Sequence, residues 1–282
     1  MKIIGIETSS IQGGVAILET KRCVRDKSNQ NESSPCTQGL DESIILIKQL
    51  LLKKGLVHGK LLIPALEKLL AKSHWQKEDI DLVAVDIGPG SYTGLRVGLA
   101  IAKTISYIIK SKIVGVFSLD VLVANIHHNN YQYICPVVDA RWNQVYAAIY
   151  DKGQPNNILK YNRISDYLAI SPQDLVRLLK RYLNKADEKL LLFGDGLKAY
   201  KDPEGTAIGT VKGETLSEFN RLIKNRKILV GSNNVWFPKA VNVALLGYES
   251  YKKGRCDDPI KLIPLYLRLT EAEINLKAKS TK

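Results

Sequence analysis

The sequence has few cysteines and lacks the patterns in which cysteines usually bind metal or exchange electrons. The four are Cys23, Cys36, Cys135 and Cys256. No two of them form a CxxC pair, so neither a zinc knuckle nor a thioredoxin-type motif is indicated. Isolated cysteines of this kind are typical of a reducing compartment. The sequence therefore predicts a cytoplasmic protein.

Long apolar runs are also absent. The first ten residues, MKIIGIETSS, contain no apolar stretch of signal-peptide length before Glu7. The longest later stretch, residues 95–117, is interrupted by Lys103, Lys110 and Lys112. Such a stretch is too broken to cross a bilayer, and we expect no membrane association.

Two common site motifs are missing. Residues 88–94 form a glycine-rich turn but lack the GxxxxGK[ST] pattern of a P-loop. A histidine pair on one helix face would place its second member four residues on, and Leu62 occupies that position relative to His58. The sequence therefore predicts no P-loop and no protein-bound metal.

The chain has an excess of positive charge. It contains 41 Lys and Arg against 28 Asp and Glu, a formal net charge of +13. A balance of this sign attracts polyanions, RNA foremost. The basic residues are nevertheless spread along the chain, as expected of an excess that only aids solubility. Both interpretations stay open at this stage.

The hydrophobic pattern alternates between strands and helices. Residues 2–8 and 80–87 have the apolar, β-branched character of strands, and residues 95–109 that of a helix. A similar order follows in the second half, where residues 134–138 and 190–193 are predicted strands. The pattern predicts an α/β protein of two lobes with a cleft between them.

Acidic residues at strand ends and a glycine loop are candidates for a cleft that binds a nucleotide or another anion. In a two-lobed phosphotransferase, carboxylates at such positions hold Mg²⁺ or orient a nucleophile, although they can also simply end strands. The loop at 88–94 can present free N–H groups at a helix start, or can serve only as a tight connector. The candidate cleft residues are Glu7, Thr8, Asp86, Gly88, Gly90, Ser91, Asp139 and Gly194.

Two helices carry candidate residues for a partner interface. Small residues at Gly98 and Ala102 would let a second helix approach closely, and the apolar arc around them is wide. The alternative is that both sides of this arc are internal core. The candidate interface residues are His58, Leu62, Leu66, Leu69, Leu95, Gly98, Leu99, Ala102 and Ser106.

Several segments resemble motifs of the TsaB family, also called YeaZ. Residues 88–96, GPGSYTGLR, match its GPGSFTGLR signature, and residues 4–9, IGIETS, resemble its first strand. Residues 58–64, HGKLLIP, resemble its HAExLLP helix start. Residues 139–146, DARWNQVY, are similar to its DARxxxVY hairpin, and residues 264–268, PLYLR, to its closing PxYLR.

The resemblance implies an actin-like fold of the ribonuclease H type, with two lobes that are each a mixed sheet with flanking helices. It implies a non-catalytic scaffold that pairs with a TsaD-like catalytic subunit and a TsaE-like ATPase. The assembly would add a threonylcarbamoyl group to adenosine 37 of tRNAs that read codons beginning with A. Alone, the chain would form a homodimer; tRNA would be bound through the complex.

The same resemblance assigns no cofactor to this subunit, and ATP with Mg²⁺ would be used by the assembled complex. The catalytic relative has an HxExH-like iron site, whereas residues 58–62 here read HGKLL. That difference favours the scaffold. The alternative function is an ATP-dependent phosphotransferase of the same fold. We expect an N-terminal lobe at 1–109, a C-terminal lobe at 110–282 and a polar loop at 21–43.

Overall fold

The structure is a computed structural model that describes residues 1–22, 42–52, 58–127, 131–153, 160–183, 189–199, 213–225 and 227–268. The predicted polar loop lies mostly outside these residues. None of the described helices is both long and apolar enough to cross a bilayer. The α-helices of the described chain are α1 His58–Lys72, α2 Tyr92–Ile109, α3 Ser118–Val123, α4 Pro172–Tyr182, α5 Gly213–Lys224 and α6 Ala240–Lys252.

The first lobe is built on a five-stranded mixed sheet. Its strands are β1 Lys2–Glu7, β2 Gly14–Arg22, β3 Glu42–Leu51, β4 Leu82–Asp86 and β5 Lys112–Val116. Their order across the sheet is β3-β2-β1-β4-β5. The first three strands pair antiparallel, whereas β1, β4 and β5 run parallel.

Alternating side chains of this sheet fill two separate cores. Ile4 and Ile6 of β1 pack with α1 and α2 on one face. Ile3 of the same strand packs with α3 and α6 on the other. Both faces are covered because successive strand side chains point to opposite sides. The sheet is therefore the centre of a three-layer lobe.

The second lobe repeats the strand order of the first. Its strands are β6 Tyr133–Arg141, β7 Gln144–Ala147, β8 Tyr150–Lys152, β9 Tyr161–Arg163, β10 Leu168–Ile170, β11 Leu190–Phe193 and β12 Ile228–Val230. The main path is β10-β7-β6-β11-β12, with the same change from antiparallel to parallel pairing. The predicted fold of two mixed sheets with flanking helices is confirmed.

The boundary that we predict between residues 109 and 110 does not follow the sheets. Strand β5 lies after this boundary but pairs with β4 in the first sheet. Helix α6, near the end of the described chain, also packs on β1, β2 and β4. The chain therefore enters the second lobe after β5 and returns to the first lobe with α6.

Helix α3 joins the lobes. Leu119 and Leu122 belong to the second core, whereas Val121 belongs to the α6 side of the first. Asp120 of the same helix accepts hydrogen bonds from the hydroxyls of Tyr150 at 2.6 Å and Tyr167 at 2.9 Å. The short helix thus packs in the cores of both lobes, and its hydrogen bonds hold it to the second.

Candidate functional site

Glu7 and Asp86 form a buried acidic pair at the ends of adjacent parallel strands. In the register of β1 and β4, Ile6 lies beside Val85, which places the next residue of each strand side by side. Neither carboxylate is exposed to solvent. Two of the three predicted nucleotide-binding carboxylates therefore lie together but face the protein interior.

The carboxylate of Glu7 is bonded by the residues that follow it. Its Oε1 accepts hydrogen bonds from Ser9 N at 2.7 Å, Ser9 Oγ at 2.6 Å and Ser10 N at 3.2 Å. The pKa of Glu7 is raised to about 8, first because burial disfavours the charged form and second because Asp86 is close. Burial therefore favours the protonated form of Glu7.

Asp86 bonds the loop after its own strand to the start of α3. Its Oδ1 accepts from Gly88 N at 2.8 Å and from Ser118 Oγ at 2.5 Å. Burial raises its pKa to about 6, and the bonds from Ser118 and Gly88 act in the opposite direction. In the described chain its Oδ2 has no hydrogen-bond partner. The geometry gives Asp86 a role in holding the glycine loop.

The glycine loop packs tightly on the segment after β1. A Cβ atom on Gly90 would lie 2.5 Å from the Ser9 carbonyl oxygen, and one on Gly94 would lie 2.0 Å from that of Thr8. Gly88 has a φ of 103°, in the region that favours glycine. These glycines are required because the start of α2 lies directly against the end of β1.

Three N–H groups of this loop are not available for the predicted anion site, because each already donates a hydrogen bond within the chain. Gly88 N donates to Asp86, Ser91 N donates to Ser9 O, and Gly94 N donates to Ser91 Oγ. Ser91 is the N-cap of α2, as the sequence indicates. These three donors are already used within the chain, so the connector interpretation holds for them.

Asp139 lies within β6, two residues before its last residue, and Gly194 directly follows the neighbouring strand β11. Asp139 is exposed; its N donates to Asp195 Oδ1 at 3.1 Å, and its Oδ1 accepts from Arg141 N at 2.8 Å. A Cβ on Gly194 would lie 2.1 Å from the Val137 carbonyl oxygen. Gly194 is therefore a packing glycine, and Asp139 is the accessible carboxylate of the predicted set. The phosphotransferase alternative loses two of its three Mg²⁺-binding carboxylates to burial.

The predicted partner interface needs a larger correction. The side chains that we assigned to it point into the first lobe, because the sheet itself covers this arc of α1 and α2. The buried members are Leu62, Leu66, Leu69, Leu95, Gly98, Leu99, Ala102 and Ser106. His58 begins α1, but its side chain lies outside the described part of the structure.

Gly98 shows why this arc is buried. A Cβ there would lie 2.1 Å from Thr8 Oγ1, so the small residue makes room for Thr8, the residue that follows β1 in the same chain, and not for a second protein. Ser106 Oγ donates to the Ser111 carbonyl at 2.8 Å. The alternative that this arc of the helix is internal core is therefore correct.

The opposite side of α2 faces solvent. Ala100, Thr104 and Tyr107 lie at helical spacing on this side, and Ile108 flanks them. Tyr107 is 71% exposed and Ile108 67% exposed. Ile63 of α1, the neighbouring helix in the same layer, is also exposed. We call these five residues the outer helix face.

Sequence reasoning missed the residues that make the buried pair tolerable. Ser9 bonds Glu7, and Ser118 bonds Asp86. Ser9 carries a signal, since a serine two residues after a strand-end acid can turn back to it. Ser118 does not, because its partner is 32 positions away.

The repeated strand order, with a glycine loop joining β4 to α2, defines a two-lobed protein of the actin-like class. The family model described as "TsaD: tRNA N6-adenosine threonylcarbamoyltransferase" matches residues 56–228, well over half of the chain. The chain belongs to this family.

Individual relatives cover nearly the whole chain. The tRNA threonylcarbamoyladenosine biosynthesis protein TsaB of Bacillus subtilis is 29% identical over 273 residues, 97% of this chain and 96% of that protein. The tRNA N6-adenosine threonylcarbamoyltransferase of Thermodesulfovibrio yellowstonii is 27% identical, over 93% of this chain and 71% of that protein.

Solved structures agree on the fold. YeaZ from Pseudomonas aeruginosa has a TM-score of 0.66 and covers 94% of this chain and 99% of its own, at 14% identity. At this identity the likeness concerns the fold alone. It supports the actin-like architecture that the resemblance implies.

Proposed function

We propose that this chain is a non-catalytic subunit of the machinery that makes threonylcarbamoyladenosine at adenosine 37 of tRNAs that read codons beginning with A. The observation that carries the proposal is the full-length match to the Bacillus subtilis biosynthesis protein TsaB, which spans 97% of this chain and 96% of that protein. Because the match covers nearly the whole of both proteins, it favours a shared role rather than the sharing of a single lobe.

The buried carboxylates support a role without chemistry. A group that holds Mg²⁺ or activates a nucleophile has to reach the ligand, and Glu7 and Asp86 are fully covered by the chain's own residues. Leu62, at the position of the second histidine in the HxExH-like site, is part of the core. We infer no cofactor for this subunit, and ATP with Mg²⁺ would act in the assembled complex.

The outer helix face is our proposed surface for a TsaD-like catalytic subunit. Ala100 and Thr104 are small enough for another helix to approach closely. Tyr107 and Ile108 supply exposed apolar area beside them, of the kind that is enriched at the centre of protein interfaces. A TsaE-like ATPase and tRNA would join through that pair. Without the catalytic subunit, two copies of the chain would meet through the same face.

Substitution of Ala100 by arginine tests this surface. Ala100 is exposed, so the larger side chain should leave the fold intact. At a helix contact it would place an unpaired charge in the interface, which costs several kcal/mol. We expect Ala100→Arg to abolish co-purification with the catalytic subunit from the same organism, whereas the isolated variant keeps the wild-type circular dichroism spectrum.

Val230→Arg is the matched control, because Val230 is a half-exposed apolar residue in the second lobe. It should co-purify as the wild type does. Normal co-purification of Ala100→Arg would show that the outer helix face does not bind the catalytic subunit. It would leave the proposed subunit role unchanged.

A further inference from the structure

Exposed aromatic rings and arginines follow one another where the C-terminal segment meets both lobes. The ring of Tyr266 lies 5.1 Å from that of Tyr92, measured between centroids. Arg96 lies over Tyr92 at 5.2 Å, and Arg268 lies over Trp142 at 5.8 Å. We call these five residues the aromatic–arginine surface.

The C-terminal segment connects the two halves of this surface. Tyr266 and Arg268 are two residues apart, so their Cα atoms are separated by at most about 7 Å. Arg268 Nη1 also donates to the Ala140 carbonyl at 3.0 Å. This bond ties the segment to the hairpin of β6 and β7, so one short segment links the Tyr92–Tyr266 pair to the hairpin that carries Trp142.

Trp142 occupies a backbone position that disfavours it. It is in the tight turn between β6 and β7, where Arg141 pairs with Gln144. Arg141, Trp142 and Asn143 have φ values of 60°, 53° and 58°. Two-residue turns of this hand prefer Asn and Gly, and a bulky residue at positive φ is an outlier.

Folding buries little of the Trp142 indole. Trp142 is 67% exposed, so it does not repay the strained backbone by filling the core. Its contact is with Arg268, which leaves much of the ring open to solvent. Backbone strain of this kind persists mainly at functional positions, which makes the tip of the hairpin a candidate binding residue.

We propose that the aromatic–arginine surface binds single-stranded RNA by stacking unpaired bases on Trp142 and on the Tyr92–Tyr266 pair. Aromatic rings accept any base because every base has a π-face, and arginines beside them attract the phosphates. The net charge of +13 draws a polyanion towards the chain. The choice of RNA over another polyanion rests on the proposed function.

The charges around the turn are compatible with this ligand. Asp139 is the carboxylate at the hairpin, and its Oδ1 is occupied by Arg141 N. A second carboxylate, Asp195, accepts a hydrogen bond from Asp139 N at 3.1 Å, and burial raises its pKa, which favours its neutral form. Arg141 and Arg268 are the positive side chains beside these two acids. A flat, exposed indole with one guanidinium group over it, that of Arg268, is suited to a stacked base.

Tryptophan fluorescence offers a direct test with the full chain. Trp142 is exposed, whereas Trp75 and Trp236 are buried. We expect an oligoadenylate of about ten nucleotides, within the usual site size for single strands, to quench this fluorescence and to bind less tightly as salt is raised. A duplex RNA of equal length, whose bases are paired and enclosed within the helix, should quench it far less.

Trp142→Asn separates binding from folding. Asparagine suits this turn better than tryptophan, so the variant should melt at the same temperature as the wild type or above it. Its affinity for oligoadenylate, measured by anisotropy of a labelled strand, should fall by about tenfold to a hundredfold, as for loss of one stacking ring. Trp142→Phe should retain most of the affinity.

Ile260→Ala is the control, because Ile260 is an exposed apolar side chain outside the aromatic–arginine surface. It should bind as the wild type does. Wild-type affinity in Trp142→Asn, or no quenching of the wild type, would overturn the inference. Loss of co-purification in Trp142→Asn with no RNA bound by the wild type would show a protein-binding surface instead. The proposed subunit role is judged separately, by co-purification of the wild type.

Discussion

Substitution of Gly94 by alanine should lower the free energy of unfolding by about 3 kcal/mol or more. The new methyl group would lie 2.0 Å from the Thr8 carbonyl oxygen and 3.2 Å from Ser91 Oγ. The first of these atoms is backbone, so the start of α2 has to move away from β1. Overpacking of this kind typically costs 1–3 kcal/mol and occasionally more. The melting temperature should fall by about 6–12 °C.

Gly59→Ala provides the comparison for that measurement. Gly59 lies in the first turn of α1, and among the described residues a Cβ there would meet only Val97 Cγ1, at an ordinary 3.7 Å. We expect a change of under about 1 kcal/mol, in the stabilising direction because alanine favours the helix. Equal melting temperatures for the two variants would contradict the close contact between α2 and β1.

The free energy of unfolding of the wild-type protein should fall as pH rises from 6 to 8, and the Glu7→Gln substitution should remove this fall. The pKa of Glu7 is raised from an ordinary 4.5 to about 8 in the fold. A carboxyl group whose pKa is raised in this way makes its full contribution to the free energy of unfolding below pH 4.5. This contribution is lost as pH rises through 8. Asp86, with a folded pKa of about 6, acts at lower pH.

Glutamine fits the same contacts as the protonated acid. Glu7 Oε1 accepts hydrogen bonds from Ser9 N, Ser9 Oγ and Ser10 N, and an amide oxygen can accept them too. Oε2 accepts a long bond from Ser10 Oγ at 3.4 Å, and in glutamine the amide nitrogen would donate to that hydroxyl instead. The wild type should lose about 2 kcal/mol between pH 6 and 8, and Glu7→Gln almost none. The measurement is urea unfolding at both pH values.

Glu67→Gln is the control for this slope, since Glu67 is an exposed carboxylate on α1. It should unfold with the wild-type dependence on pH. A Glu7→Gln protein that remains as sensitive as the wild type between pH 6 and 8 would show that Glu7 ionises within the fold at little cost. The raised pKa that we give Glu7 in the buried pair would then be wrong.

The alternation of apolar strands and helices predicts the architecture well, because each period reports a local backbone conformation. Residues 2–8, 80–87 and 134–138 all contain strands where their pattern indicates them. The glycine loop is also predictable, since its glycines and Ser91 specify a turn and a helix cap. Local chemistry suffices for these elements.

The orientation of α2 is not encoded locally. Its apolar arc is wide, so either side could face the sheet, and the choice depends on Thr8, which contacts Gly94 and Gly98. Such a contact joins residues far apart in sequence. The predicted partner residues were therefore the internal ones, and the outer helix face was overlooked.

Two further features were missed for different reasons. Residues 213–224 form a helix, although residues 201–217 are polar and rich in glycine; Phe219 of this helix packs in the second core and so favours it over a loop. The aromatic–arginine surface is assembled from three distant segments. Its clearest local signal is a tryptophan in a turn that prefers asparagine and glycine.

Analysis of modified nucleosides in bulk tRNA tests the central claim most directly. The gene would be deleted and then restored as the wild type, Glu7→Gln or Ala100→Arg. We expect threonylcarbamoyladenosine to disappear on deletion, to return with the wild type and with Glu7→Gln, and to stay absent with Ala100→Arg. Unchanged threonylcarbamoyladenosine after deletion would contradict the proposed role, and its absence with a folded Glu7→Gln protein would contradict the non-catalytic assignment.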